Sequence, residues 1–278
     1  MFIDTYTRES MENSICILLS ITSERLYDEM NRIGRIAGDD YDLRREEVES
    51  FVGEHLSQEL PNEILLFHLS RRLNGTEDDA VGRNLADLLT TDNAFSTMLK
   101  KFQIEFYKGT KHIEALYRGE LVNWEKCWNG NPSYMKSRLG YIKGREDFCF
   151  NGFAFKDLLY KNNYARSLSG TPEFVGQLIE CLGCSELGHY YMDHSTYYCY
   201  EYKIPFDRVM FDDHDSYSVE LKQRYLIDCT IERLNDYANT NIRYMHDHDN
   251  PILRLADYDT LPDNYCMKKE KITVDMLR

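Results

Sequence analysis

Hydrophobic positions recur at helical spacing from the start of the chain. Residues 10–36 place Ile15, Leu18, Leu19, Ile21, Leu26, Met30 and Ile33 among polar neighbours, and residues 43–58 repeat the pattern with Val48, Phe51, Val52 and Leu56. These stretches predict two packed helices joined by a turn at Gly38-Asp-Asp-Tyr-Asp42. Pro61-Asn-Glu63 opens a third element running through Phe67 to Leu73, and Asn74–Asp79 is polar enough to be a loop. From Asn84 to Phe102 a helical period resumes with Leu85, Leu88, Leu89, Phe95, Met98 and Leu99. The first hundred residues therefore read as mainly helical.

The pattern changes at Ile104. Ile104-Glu-Phe-Tyr107 and Ile113-Glu-Ala-Leu-Tyr117 are short, aromatic and bounded by glycine, which is strand grammar. Residues 173–182 form one clear helix behind Pro172, a residue favoured at helix starts. Tyr197–Ile204 predicts a strand ended by Pro205, Arg208–Phe211 predicts another, and the tail from Asn250 to Arg278 reads as irregular, with Ile252–Leu255 docking on the body. The expected fold is α+β: a helical region over residues 1–103 packed with a mixed, twisted sheet from residues 104–235, in one domain or in two joined near residue 103.

Composition changes this picture little. The chain has 278 residues, 42% hydrophobic and 29% charged, long enough to bury a core without disulfides or metal. Forty-seven acidic against 33 basic side chains give a net charge of −14, which disfavours non-specific attraction to nucleic acid or anionic membranes. The eight cysteines are scattered, and no leader or membrane-length apolar run is seen, so a cytoplasmic protein with reduced thiols is expected. Cys181-Leu-Gly-Cys184 is a lone close pair and reads as core cysteines rather than a zinc site.

Three segments of the second half carry candidate chemistry: Leu116-Tyr117-Arg118-Gly119-Glu120, Arg166-Ser167-Leu168-Ser169-Gly170-Thr171-Pro172, and Tyr217-Ser218-Val219-Glu220-Leu221. Their order resembles the Arg, Ser-x-Ser, x-x-Glu series of the ADP-ribosyltransferase superfamily over residues 104–235. The resemblance implies a sheet of that type and an NAD cofactor. Arg118 would grip the diphosphate, with Gly119 allowing close backbone approach. Ser167 and Ser169 would bond the ribose, and Tyr164 or a tyrosine of 197–202 would wall the site. Glu220 would stabilise positive charge developing on the sugar as nicotinamide leaves, with Glu232 as the substitute carboxylate. Catalysis would then rest on Arg118, Ser167 and Glu220 without a metal.

Two positions depart from the family pattern. Leu168 stands where threonine is usual, and Ser218 stands two before Glu220 where glutamate or glutamine is usual, which disfavours an arginine acceptor. The resemblance implies a macromolecular acceptor, protein or nucleic acid, a role as a toxin, effector or phage-defence enzyme, and a regulatory protein partner.

Two other readings stay open. Asp212-Asp213-His214-Asp215 and His246-Asp247-His248-Asp249, with His189 and His194, offer ligands for a metal-dependent nuclease or phosphohydrolase. An acidic, tyrosine-rich globule could instead act without catalysis, as an inhibitor or immunity protein against a basic partner.

Overall fold

The computed structural model describes residues 1–38, 40–56, 59–127, 129–142, 147–212, 214–239 and 249–278. The chain opens with α1 (Arg8–Leu19), whose N-cap Thr7 and Ser10 form a reciprocal capping box. Ser20 then turns left-handed at φ 52° and Thr22 caps a new helix, α2 (Ser23–Ala37). The single helical period expected over residues 10–36 is therefore two helices, because Ser20–Thr22 supplies both a stop and a start. Asp40 caps α3 (Tyr41–His55).

The third element is a strand, β1 (Glu63–Leu73), so the first hundred residues are mainly helical, as expected, but not wholly so. Ile64, Leu65, Leu66 and Phe67 are buried in succession, and a short continuous apolar run does not distinguish strand from helix by period alone. The helical stretch from Asn84 is likewise two helices, α4 (Leu85–Thr90) and α5 (Ala94–Lys101), since Asn93 interrupts the first and caps the second.

Strands β2 (Ile104–Lys108) and β3 (Ile113–Tyr117) form where the sequence predicts them, and β4 (Glu120–Leu121) completes a hairpin sheet. Both pairings are antiparallel, with Ile104 opposite Tyr117 and Tyr117 opposite Glu120. Then follow α6 (Pro132–Arg138), β5 (Asn151–Phe153), α7 (Asn163–Leu168), α8 (Glu173–Leu182), α9 (Ser185–Asp193) and β6 (Ser195–Pro205). The helix and strand expected at 173–182 and 197–204 are α8 and β6. Of Arg208–Phe211 only β7 (Met210–Phe211) is strand, since Phe206–Arg208 is a 3₁₀ turn.

The chain ends with α10 (Val219–Asn239), β8 (Ile252–Arg254) and β9 (Cys266–Lys271). The tail expected to be irregular thus supplies two strands. The larger sheet runs β7-β8-β5-β1-β6-β9, with β1 and β5 antiparallel at Phe67 and Phe153. It draws on residues 63–73 and on the tail, not only on 104–235. Sheet pairing joins segments far apart in sequence, so periodicity within a window does not reveal it. The protein is α+β.

The chain divides into two compact units. Unit one is Met1–Phe67, Phe153–Asn162 and Tyr202–Leu253; unit two is His68–Gly152, Asn163–Glu201 and Arg254–Arg278. The join expected near residue 103 falls inside unit two, where α5 leads into β2. In unit one α1, α2 and α3 pack with α10, burying Met11, Ile15, Leu18, Leu26, Ile33, Val52, Leu226 and Ile231. In unit two Leu89, Met98, Leu99, Ile104, Phe106, Trp124, Met135, Phe148, Phe174 and Leu178 form one cluster.

Candidate functional site

Unit two holds a cavity of about 700 Å³, within the range of small-molecule sites. One wall is the stretch of β1 from His68 to Leu73. Alternation along the strand puts His68, Ser70 and Arg72 on one face and Arg71 on the other. Other walls come from the loop carrying Asp78, Asp79 and Arg83, from the start of α5, from Arg138 at the end of α6, and from the opening of α8. Phe95, Phe150, Phe174 and Tyr191 supply aromatic surface. Pro172 at the N-cap of α8 makes no side-chain cap bond, so the positive end of that helix adds to the local field.

Four arginines and three aspartates line this cavity, and their pairing decides its charge. Arg83 Nη1 meets Asp79 Oδ2 at 2.7 Å, Asp78 is held by Lys269, and Asp92 is held by Lys100 at 3.0 Å. Each lining carboxylate thus has a cation partner. Arg138 is paired with Asp147. Arg71 spends its donors on neutral acceptors, Ser195 Oγ at 2.8 Å and the carbonyls of Ser169, Ser195 and Met192 at 2.6, 2.7 and 3.3 Å. Arg72 lies over the Tyr200 ring at 4.9 Å and has no carboxylate partner among the described residues. The Nε atoms of Arg72 and Arg138 are buried and meet no acceptor there. Two guanidinium charges on β1 are therefore uncompensated by carboxylates, in a chain whose net charge is −14.

His68 shares this wall. Its imidazole lies against Phe150, with centroids 4.2 Å apart, and burial together with the Arg72 charge pushes its pKa down to about 3.

The residues singled out from sequence lie elsewhere. Arg118 and Gly119 are the exposed turn between β3 and β4, both at positive φ, 54° and 79°, with the Arg118 guanidinium over Tyr117 at 4.9 Å. Ser167 Oγ donates to the Tyr164 carbonyl at 2.9 Å, and Ser169 Oγ to the Arg166 carbonyl at 2.6 Å. Tyr164 is exposed on α7. These five belong to unit two, whereas Glu220 and Glu232 belong to α10 of unit one. Glu220 is exposed and paired with Arg224 at 3.1 Å. Glu232 is raised above the usual carboxylate range by burial and by Asp236. None of the seven lines the cavity, although Leu168, between the two serines, and Pro172 do. Of the tyrosines at 197–202, Tyr197 is buried and donates to the Ala165 carbonyl at 2.8 Å, and Tyr200 donates to the Glu77 carbonyl at 2.7 Å.

The metal-friendly clusters are only partly placed. Asp213 and residues 246–248 lie outside the described residues. His214 stacks on Tyr217 at 4.6 Å, and His194 stacks on Tyr190 at 3.9 Å. Among the described residues no three His, Cys, Asp or Glu side chains gather with the geometry of a metal site. Cys184 is buried in the core of unit two, while the Cys181 thiol is pushed up to about 12 by burial and by the neighbouring Cys127. No described helix is long and apolar enough to cross a membrane.

Sequence reasoning missed His68, Arg72, Arg83 and Arg138, which are dispersed over some 70 positions and match no short motif. The one local signal was Arg71-Arg72 closing a long apolar run, charge placed where a buried strand would not carry it for nothing. The chain matches no protein-family model, no curated protein and no solved structure.

Proposed function

We propose that unit two binds a phosphate-bearing small molecule of nucleotide size in its cavity. The observation that carries this reading is the charge pairing: the lining carboxylates are each held by a cation, while Arg71 and Arg72 have none. An anion entering the cavity restores neutrality, and a guanidinium fork suits phosphate geometry. The aromatic surface accommodates a base or similar ring.

Within that class NAD is the ligand named by the resemblance to ADP-ribosyltransferases. One observation favours it: the Ser167–Pro172 segment borders the cavity through Leu168 and Pro172, and Arg71 anchors it by the Ser169 carbonyl. On this reading the fold is of ADP-ribosyltransferase type and the protein transfers ADP-ribose from NAD to a macromolecular acceptor. The resemblance assigns the carboxylate needed by the departing nicotinamide to Glu220, with Glu232 as its substitute, and neither of them lines the cavity.

Calorimetric titration with pyrophosphate, ADP-ribose and NAD tests the binding. Wild type takes up at least one of them, and Arg72→Gln weakens binding about tenfold or more. Folded wild type that binds none of the three overturns the reading. Label transfer from radiolabelled NAD in cell extract, abolished by Glu220→Gln and by Arg118→Ala, tests the transferase chemistry. Binding without any transfer removes the transferase and leaves the anion site.

A further inference from the structure

His68 Nδ1 lies 2.7 Å from the backbone carbonyl oxygen of Asn151. A carbonyl oxygen only accepts, so Nδ1 carries the ring hydrogen and donates it. The other nitrogen, Nε2, is left with a bare lone pair. Contact with Phe150 at an interplanar angle of 34° and the Asn151 bond together fix the ring's orientation. No donor among the described residues is bonded to Nε2. The ring stays neutral through the physiological range, because desolvation and the Arg72 charge both oppose its protonation. His68, Arg72, Phe150 and Asn151 all line the one cavity.

A fixed, neutral acceptor beside guanidinium groups discriminates among anions. An oxygen of a phosphate group facing Nε2 sets lone pair against lone pair, whereas a hydroxyl facing it donates a hydrogen bond. We infer that His68 Nε2 is a specificity-determining acceptor, and that the cavity selects phosphate esters carrying a free hydroxyl, of the ribonucleotide kind, over hydroxyl-free phosphates. The inference rests on the anion-binding reading above and names the ligand class within it.

The test compares three probes by calorimetry: ADP, 2′,3′-dideoxy-ADP and inorganic pyrophosphate. Wild type binds ADP about five- to tenfold more tightly than the dideoxy compound, the worth of one neutral hydrogen bond. His68→Phe keeps a ring against Phe150 but offers no acceptor. In it the ADP preference falls to near unity, while pyrophosphate affinity stays within about twofold of wild type. The wild-type preference is constant from pH 5 to 8. Equal binding of both nucleotides by wild type overturns the inference even if His68→Phe does not fold, and so does a preference that survives the substitution. In either case bound pyrophosphate leaves the anion reading standing. Failure of ADP, its dideoxy analogue and pyrophosphate alike removes the inference, and failure of ADP-ribose and NAD as well removes the anion reading.

Discussion

Arg233 Nε donates to Asp157 Oδ2 at 2.9 Å, and both side chains are only 4% exposed. Tyr237 donates to the same oxygen at 2.7 Å, and the guanidinium groups of Arg233 and Arg8 lie 5.4 and 5.6 Å from its ring. Asp157 Oδ1 and Arg233 Nη2 are buried without partners among the described residues. The pair thus ties the β5 region to α10 within unit one. Removing one partner strands a buried charge, so Arg233→Met is expected to cost about 3–5 kcal/mol in urea unfolding. Adding Asp157→Leu should restore a good part of that loss. A single-variant loss under about 1 kcal/mol would contradict this account.

Asp228, Glu232 and Asp236 follow one another at successive turns of α10. Asp228 is raised to about 7, first by burial and then by Glu49 and Glu232, against the lowering effect of Arg45 and Arg224. Glu232 and Asp236 are raised as well. Between pH ~4 and ~7 the folded protein holds a proton on Asp228 that the unfolded chain has released. Stability from this group is therefore full below pH ~4, falls as pH rises through that window, and levels off above it. Asp228→Asn should flatten the slope and raise stability at pH 8 by on the order of 1–2 kcal/mol. Thermal unfolding of both proteins across pH 4–8 checks it, and identical slopes would refute it.

Arg71 presents a planar fork to four acceptors on Ser169, Met192 and Ser195. A lysine ammonium cannot reach them all, so Arg71→Lys should destabilise unit two by about 2–4 kcal/mol. Hydrogen exchange should rise in residues 167–172, which lose their anchor. Unchanged protection there would show that the segment is held by other contacts.

Gly82 bridges Leu261, and a Cβ added to it would lie 2.8 Å from Phe150 Cζ and 3.0 Å from Leu261 Cβ. Gly82→Ala must push Phe150, the ring against which His68 packs. The expected cost is about 1–3 kcal/mol, together with weaker binding of phosphate ligands. Wild-type stability and affinity in this variant would mean that the ring moves without consequence.

Much of the local structure was legible because it is written in short windows. The helices α1, α2, α3, α5 and α8 and the strands β2, β3 and β6 answer to period, propensity and punctuation within a dozen residues. Where two rules met, the window misled: Ser20–Thr22 and Asn93 cut helical periods that otherwise continue, and the apolar run of β1 fits either element until its partners are known.

The chain by itself determined an acidic α+β protein, the short strands at Ile104–Tyr107 and Ile113–Tyr117 and the amphipathic helices, since those depend on neighbours along the backbone. Tertiary structure alone decided that Glu63–Leu73 is a strand of a sheet shared with the tail, because hydrogen-bond partners lie far away in sequence. It alone decided, too, which charges count. Along the chain Asp78, Asp79 and Asp92 follow Arg71 and Arg72, but the fold gives each of those carboxylates another cation and leaves the two arginines on the cavity wall without a carboxylate. Electrostatic character depends on distance in space, and a sequence orders its charges only along the chain.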